Sequence, residues 1–189
     1  MKTLLFATLV IYTLSCASAQ EKNDTIRIID QKVMYVNLFT DCKIITLSNG
    51  EFLNKEFIEQ QGHGYGQMTG YLRNDTIYKI REHIGIRLMH DIATTDYYFW
   101  DGKLIYVNES EKYGTDIFID SSGTVDYKLS DPDFEGHYYF FDDRIVDSRM
   151  KGQQKILPNE KYFLSQSKDG QLLHSAKKYI DLISDKKNQ

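Results

Sequence analysis

Most of this chain alternates apolar and polar residues, and short turn sequences interrupt the alternation repeatedly. From residue 43 to residue 148 the turn signals are SNG, RND, DG, SSG and DD, at 48–50, 73–75, 101–102, 121–123 and 142–143. Runs with a period of two between such turns are typical of half-buried strands that are joined as hairpins. The sequence therefore predicts an antiparallel sheet built from consecutive hairpins.

One aromatic hairpin is present twice. The sequence DYYFWDGKLIYV at residues 96–107 returns at residues 137–148 as HYYFFDDRIVDS. Asp-Gly between two apolar runs is the strongest local signal for a two-residue type I′ turn. The cross-strand pairs predicted from this turn are Trp100–Lys103, Phe99–Leu104, Tyr98–Ile105 and Tyr97–Tyr106 in the first copy, and Phe141–Arg144, Phe140–Ile145 and Tyr139–Val146 in the second.

This register divides each hairpin into two faces, because successive side chains of a strand point in opposite directions. Phe99 and Phe140 are predicted to lie in the core. The other face carries most of the charge, and we predict that it is the more accessible one. Its aromatic residues are the candidate contacts for a partner: Tyr98, Trp100, Tyr139 and Phe141. The alternative is that a helix covers these four residues as well.

Helical patterns lie on both sides of the strand region. Near the N-terminus Ile26, Ile29, Val33 and Val36 have helical spacing, although their β-branched side chains keep a strand open as an alternative. Near the C-terminus one apolar stripe recurs every three or four residues: Leu172, Leu173, Ala176, Tyr179, Ile180 and Ile183. The predicted fold class is α+β, with an antiparallel sheet of hairpins, an N-terminal helix and a C-terminal amphipathic helix.

The first 19 residues have the features of a secretory signal peptide. Lys2 is followed by an apolar run over residues 4–14, and Ala17 and Ala19 form an A-x-A cleavage site. A run of about eleven residues is shorter than the ~20 that a membrane span needs. We therefore expect an exported protein, periplasmic or extracellular, that begins at Gln20. The alternative is a lipoprotein anchored through Cys16.

Residues 20–189 are predicted to form a single exported α+β domain. Removal of the leader takes away one lysine, which leaves 22 cationic and 27 acidic side chains and a net charge of −5. This mild acidity disfavours nucleic acid and anionic membranes as partners. Cys42 is the one cysteine after residue 19, so the core must hold the fold without an intramolecular disulfide.

Four segments in combination carry a resemblance to a known group of proteins. They are GYGQMTGYLRNDTIYKI at 64–80, DYYFWDGKLIYV at 96–107, HYYFFDDRI at 137–145 and LLHSAKKYIDLI at 172–183. The chain resembles a family of uncharacterised secreted bacterial proteins with GYF…KI and repeated YYF-D-G-K-L-I hairpin motifs. The resemblance implies an exported α+β domain and brings no catalytic residue with it.

Sequence patterns that carry chemistry are weak in this chain. The five histidines show no HExxH motif or paired cysteines, and no serine elbow, P-loop or Rossmann fingerprint occurs. The sharpest candidate is a calcium-loop pattern, in which Asp131, Asp133, Glu135, Gly136 and Asp142 fall at positions 1, 3, 5, 6 and 12. However, its last residues match a strand of the repeat, so we expect no metal site and no cofactor.

These observations favour a non-catalytic binding or envelope-associated module of unknown ligand, whose partner is a protein or an envelope component. The alternative is a hydrolase acting on envelope or dietary polymers. A cavity that holds two acids, or an acid and a histidine, would favour the hydrolase. An exposed aromatic face would favour binding. The oligomeric state does not follow from the sequence.

Overall fold

The computed structural model describes residues 2–53, 65–86, 91–113, 117–119, 125–127, 132–154 and 167–189. Two helices, α1 (Lys2–Asn37) and α2 (Lys168–Lys187), lie on either side of the strand region in the sequence. A short 3₁₀ helix spans Asn49–Glu51. The strands are β1 (Lys43–Ser48), β2 (Tyr65–Arg73), β3 (Thr76–Ile86), β4 (Asp91–Trp100), β5 (Lys103–Lys112), β6 (Ile117–Ile119), β7 (Val125–Tyr127), β8 (Phe134–Phe141) and β9 (Arg144–Gly152).

Seven strands form one antiparallel sheet in the order β1-β2-β3-β4-β5-β8-β9, and β6 pairs with β7 in a separate two-stranded sheet. Sequential neighbours pair throughout the large sheet except where β8 follows β5. The predicted α+β fold, with a sheet of consecutive hairpins and a helix at each end, is confirmed. None of the described helices has a segment that is both long and apolar enough to cross a membrane.

Three hairpins, β2–β3, β4–β5 and β8–β9, share one turn geometry. In each of them both central turn residues have positive φ, which is the requirement of a type I′ turn. The six residues and their φ angles are Asn74 (48°), Asp75 (64°), Asp101 (51°), Gly102 (74°), Asp142 (45°) and Asp143 (60°). The structure thus adds a third copy, β2–β3, to the two aromatic hairpins recognised in the sequence.

The same three hairpins also share a β-bulge, which the sequence-based register did not include. Phe99 pairs with Leu104 and Phe140 with Ile145, as predicted. Beyond these pairs the register shifts, so that the partners become Tyr98–Tyr106, Tyr97–Val107 and Tyr139–Asp147. The predicted pairs Tyr98–Ile105, Tyr97–Tyr106 and Tyr139–Val146 are wrong, because one extra residue in the second strand opposes no residue of the first.

The bulge places two successive side chains on the same side of the sheet. In β5, Leu104 and Val107 pack in the larger core cluster, whereas Ile105 and Tyr106 both pack in the smaller one under α1. Tyr78 of β3 and Val146 of β9 occupy the equivalent extra positions and pack in the smaller cluster too. Each bulge therefore adds one more apolar or aromatic side chain to the surface on which α1 packs.

Helix α1 covers the face that was expected to be accessible. Its residues Ile26, Ile29 and Val36 pack against Tyr98 and Tyr139, which are only 4% and 5% exposed. The expectation that Tyr98 and Tyr139 lie on an accessible surface is therefore wrong. An amphipathic helix buries its apolar stripe on whatever apolar surface the sheet offers, and the bulged hairpins offer one here.

Helix α2 covers the opposite face, which holds the main core. The predicted stripe is confirmed: Leu172, Ala176, Tyr179 and Ile183 are buried, and Leu173 and Ile180 pack beside them. Phe99 and Phe140 are 2% and 1% exposed in this core, as predicted. The helix approaches closely at Gly70, where an added Cβ would lie 2.8 Å from Cγ2 of Ile183.

Candidate functional site

Four aromatic rings form a closed set of edge-to-face contacts at the C-terminal end of α1. We call Tyr35, Phe39, Tyr78 and Trp100 the aromatic patch. Their ring centroids are 4.9 Å apart for Tyr35–Phe39, 5.1 Å for Phe39–Tyr78, 6.0 Å for Tyr78–Trp100 and 5.9 Å for Trp100–Tyr35. Each ring is fixed by two others, so the surface is rigid before anything binds to it.

Local structure explains why these rings meet. Tyr35 belongs to the last turn of α1, and Phe39 follows the helix with its N–H donating to the carbonyl of Val36 at 3.2 Å. Tyr78 is the extra residue of the first bulge, and Trp100 is the last residue of β4 before its turn. The bulge places Tyr78 and the next side chain, Lys79, together on the α1 side of the sheet.

Large apolar side chains are exposed around the patch. Met34, Leu38 and Ile44 are 61%, 67% and 60% exposed, and Tyr35 itself is 49% exposed. Scattered exposed apolar residues are ordinary, but a contiguous group beside an aromatic cluster is typical of an interaction site. Four of the eight large hydrophobic side chains that are exposed in the described part of the chain belong to this region.

Cations flank the aromatic patch. Lys32 Nζ lies 5.2 Å from the ring centroid of Trp100, and the guanidinium of Arg73 lies 4.6 Å from that of Phe39. A hydrogen bond with Tyr35 and the charge of Asp41 raise the pKa of Arg73. The patch thus combines aromatic rings with arginine and lysine, the composition that characterises energetically important interface residues.

A cavity of about 170 Å³ opens beside the patch. Its lining residues are Val36, Asn37, Phe39, Cys42, Tyr71, Tyr78 and Lys79. Burial and the neighbouring Asp41 raise the pKa of Cys42, so its thiol stays protonated at neutral pH and is a poor nucleophile. The cavity therefore extends the apolar surface and does not itself supply a reactive group.

Lys79 is engaged by three acceptors at the floor of this cavity. Its Nζ lies 3.1 Å from Oδ2 of Asp96, 2.8 Å from the hydroxyl of Tyr98 and 3.4 Å from Oδ1 of Asn37. Asp96, which is 5% exposed, also accepts two hydrogen bonds from Arg81 at 2.7 Å and 2.8 Å. The ammonium group has three donors, so this network occupies all of them.

Beyond α1 the same side of the sheet is polar, and we call this surface the polar face. It consists of two cross-strand rows that each run through all seven strands. They are Thr46-Thr69-Arg81-Asp96-Asn108-His137-Arg149 and Ser48-Gln67-His83-Thr94-Ser110-Glu135-Lys151. Most of these side chains are exposed or half-buried, and Asp96 alone among them is buried.

Two histidines of the polar face are held by hydrogen bonds. His137 Nδ1 lies 2.6 Å from the hydroxyl of Tyr106. His83 lies 3.0 Å from Oγ1 of Thr94 through Nδ1 and 3.3 Å from the hydroxyl of Tyr65 through Nε2. Burial, and then the charge of Arg81, lower the pKa of His83, so its ring is neutral at neutral pH.

Three buried glutamates lie on the opposite side of the sheet. Glu82 accepts a hydrogen bond from the hydroxyl of Tyr179 at 2.6 Å, and Glu109 lies 2.7 Å from Nζ of Lys168. Glu111 accepts a hydrogen bond from the hydroxyl of Tyr113. Burial, with the charges of Glu82 and Glu109, raises the pKa of Tyr97 well above its usual range. Two of the carboxylates tie α2 to the sheet, which is a structural role.

The four predicted contact residues are not brought together. Tyr98 and Tyr139 lie under α1, and Trp100 is half-buried in the aromatic patch. Phe141 is 57% exposed at the end of β8 and lies outside the patch. Sequence reasoning missed Tyr35 and Phe39, although their spacing of four residues at the end of an amphipathic segment was a usable signal.

The calcium-loop pattern coincides with a strand. β8 begins at Phe134, so Glu135 and Gly136 belong to it, Asp142 lies in the following turn, and Asp131 lies outside the described residues. Within the described ranges, no three His, Cys, Asp or Glu side chains form a group that suits a metal ion.

Comparisons with protein-family models, with curated proteins and with solved structures found no match for this chain. The resemblance to secreted bacterial proteins with repeated YYF hairpins therefore stays a prediction.

Proposed function

We propose that this chain is an exported, non-catalytic binding module, and that the aromatic patch binds a partner protein. The observation that carries the proposal is the exposure of Met34, Tyr35, Leu38 and Ile44 around a rigid aromatic cluster. Anchoring residues of protein interfaces are typically aromatic or arginine side chains set in a well-packed surround. Trp100, predicted from the sequence as a contact, belongs to this surface.

The alternative is a hydrolase that acts on envelope or dietary polymers. Its best candidate acids are Glu82 and Glu109, which face the same side of the sheet on β3 and β5, two strands apart. Their partners Tyr179 and Lys168 both belong to α2, so a substrate would have to displace the helix to reach them. This arrangement supports the binding module.

Capture from an envelope extract tests the binding proposal. The bait is the chain from Gln20 to Gln189, compared with the double variant Tyr35→Ser/Leu38→Ser. Met150→Ser is the matched control, because Met150 is 65% exposed and lies on β9, away from the patch. We expect a specific partner with the parent chain and with the control, and its loss with the double variant. Equal capture by all three proteins would contradict the proposal.

Export has its own test. Intact-mass analysis of material collected outside the cytoplasm is expected to show a chain that begins at Gln20. Cleavage before Gln20 would leave the packing of α1 on the sheet in place, because the described residues that make this packing all follow Gln20. They are Ile26, Ile29, Val33 and Val36. A mass that corresponds to a lipid-modified Cys16 would contradict cleavage at residue 19.

A further inference from the structure

The polar face contains an aromatic ring that lies against the backbone of the neighbouring strand. Tyr65 is the first residue of β2, and its partner across the strand pair is Gly85 of β3. An added Cβ at Gly85 would collide with the ring of Tyr65, so the ring rests on the strand where only glycine leaves room. Tyr65 is nevertheless 44% exposed, and its ring is accessible from the solvent side.

Hydrogen-bonding side chains continue from this ring across the sheet. The row next to Tyr65 carries Gln67, His83, Thr94 and Ser110 on four adjacent strands. Strands lie about 4.8 Å apart, so these four side chains span roughly 14 Å. Amide, imidazole and hydroxyl groups both donate and accept hydrogen bonds, which suits a ligand that carries many hydroxyl groups.

Asn108, in the next row, supplies an unmet acceptor. Its Oδ1 is buried, and none of the residues that the structure describes donates a hydrogen bond to it. Its neighbours across the strands are Asp96 and His137. Asp96 is occupied by Arg81 and Lys79, and Nδ1 of His137 is occupied by Tyr106. Because the Asn108 side chain as a whole is only half-buried, a small rotation would expose Oδ1 to a hydroxyl group of a ligand, which would provide the missing donor.

The charges of the two rows nearly cancel. The rows contain three cations, Arg81, Arg149 and Lys151, and two carboxylates, Asp96 and Glu135. Asp96 is bonded to Arg81, and Glu135 lies opposite Lys151. Because the charges are nearly balanced, the surface has little net positive potential with which to attract a polyanion. Recognition of a ligand would therefore depend on the uncharged hydrogen-bonding groups.

We propose that the polar face binds a neutral glycan, with the Tyr65 ring as a stacking platform. The carbon–hydrogen side of a sugar ring stacks on an aromatic face, while its hydroxyl groups bond Gln67, Thr94, Ser110 and Asn108. The span of the row accommodates about three sugar rings of an extended chain, at roughly one ring per strand spacing. This site is separate from the aromatic patch, and either proposal can fail without the other.

Isothermal titration of the chain from Gln20 to Gln189 tests the proposal with three probes: cellohexaose, xylohexaose and polygalacturonate. We expect binding of at least one of the two neutral oligosaccharides and no binding of the anionic polymer. Tyr65→Ala is expected to weaken the neutral interaction at least tenfold. Met150→Ala is the matched control, because it removes an exposed apolar side chain that belongs neither to the two rows of the polar face nor to the aromatic patch, and it should leave the affinity unchanged.

A second variant addresses the acceptor. Asn108→Leu removes the unmet oxygen, and it too should weaken the interaction at least tenfold, with thermal unfolding used to confirm that the variant folds. Binding of neither neutral oligosaccharide, binding of polygalacturonate alone, or equal affinity of Tyr65→Ala and Met150→Ala would each overturn the proposal.

Discussion

At the scale of single residues, one buried carboxylate, that of Asp96, lies among the exposed and half-buried side chains of the polar face. Asp96 is held by two cations, of which Lys79 is 12% and Arg81 45% exposed at the side chain. Hydrogen bonding with Asp96 raises the pKa of Arg81. Removing one member of a buried charge group leaves the others unpaired in a region of low dielectric.

We therefore expect Asp96→Asn to lower the free energy of unfolding by about 3 kcal/mol. Asp142→Asn is the matched control, because its ion pair with Lys103 at 3.2 Å is exposed on both sides. The control should change the free energy by less than about 0.5 kcal/mol. Urea denaturation midpoints measure both values, and equal losses would show that burial does not strengthen the Asp96 network.

The same measurement distinguishes the buried from the half-buried aromatic residue of the β4–β5 hairpin. Phe99 lies in the main core, so Phe99→Ala is expected to cost about 3–5 kcal/mol. Trp100 is half-buried and contacts Tyr35 and Tyr78, so Trp100→Ala is expected to cost about 1–2 kcal/mol. A Trp100→Ala loss as large as that of Phe99→Ala would mean that the aromatic patch belongs to the core.

At the scale of elements, one hairpin design is used three times. Each copy combines a turn with two positive φ angles and a bulge at the third residue of its second strand. Glycine adopts positive φ at no steric cost, whereas aspartate adopts it with some strain. The second turn position is Gly102 in one copy and Asp75 or Asp143 in the others.

The difference between the copies predicts a reciprocal result. Asp143→Gly should raise the free energy of unfolding by about 0.5–1 kcal/mol, and Gly102→Asp should lower it by a similar amount. Thermal unfolding of the two single variants measures both effects. Shifts of the same sign would indicate that side-chain contacts at the turns outweigh the backbone conformation.

At the scale of the whole molecule, the sheet lies between two helices, and the part that α1 does not cover carries a neutral histidine. His83 has its pKa lowered in the folded state by burial and by Arg81. The unfolded chain binds a proton near pH 6.5, whereas the folded protein resists it until a lower pH. Stability contributed by His83 is therefore present above pH 6.5 and is lost as the pH falls toward the folded-state pKa.

Melting temperatures between pH 7.5 and pH 5 test this dependence against His83→Gln, which keeps hydrogen-bonding groups but does not titrate there. We expect the parent protein to lose more stability than the variant over this interval. The carboxylates whose pKa is lowered, such as Asp147 and Asp169, lose their contribution below pH 4 and do not interfere. An equal loss of melting temperature in the parent protein and in His83→Gln would contradict the proposed contribution of His83 to the pH dependence.

Much of the fold could be predicted because its signals are local. The Asp101-Gly102 turn determined the two cross-strand pairs next to it, and the apolar stripe from Leu172 to Ile183 identified the buried side of α2. The bulges could not be predicted, because an extra residue in a strand leaves the alternation on either side intact. Local patterns also do not show which face a helix covers, so Tyr98 and Tyr139 were expected on an accessible surface, and the aromatic patch was not foreseen beyond Trp100.

The sequence by itself determined the sheet of hairpins, the turns at 74–75, 101–102 and 142–143 and the C-terminal amphipathic helix, since periodicity and turn chemistry act over a few residues. For the N-terminal segment it left a strand open beside the helix, and the predicted SSG turn at 121–123 lies outside the described residues. The tertiary structure alone decided which face each helix covers, where Tyr35 and Phe39 meet Tyr78 and Trp100, and that polar rows cross all seven strands. These features depend on contacts between residues far apart in the chain, and a one-residue bulge or the position of a helix changes them without changing any local pattern.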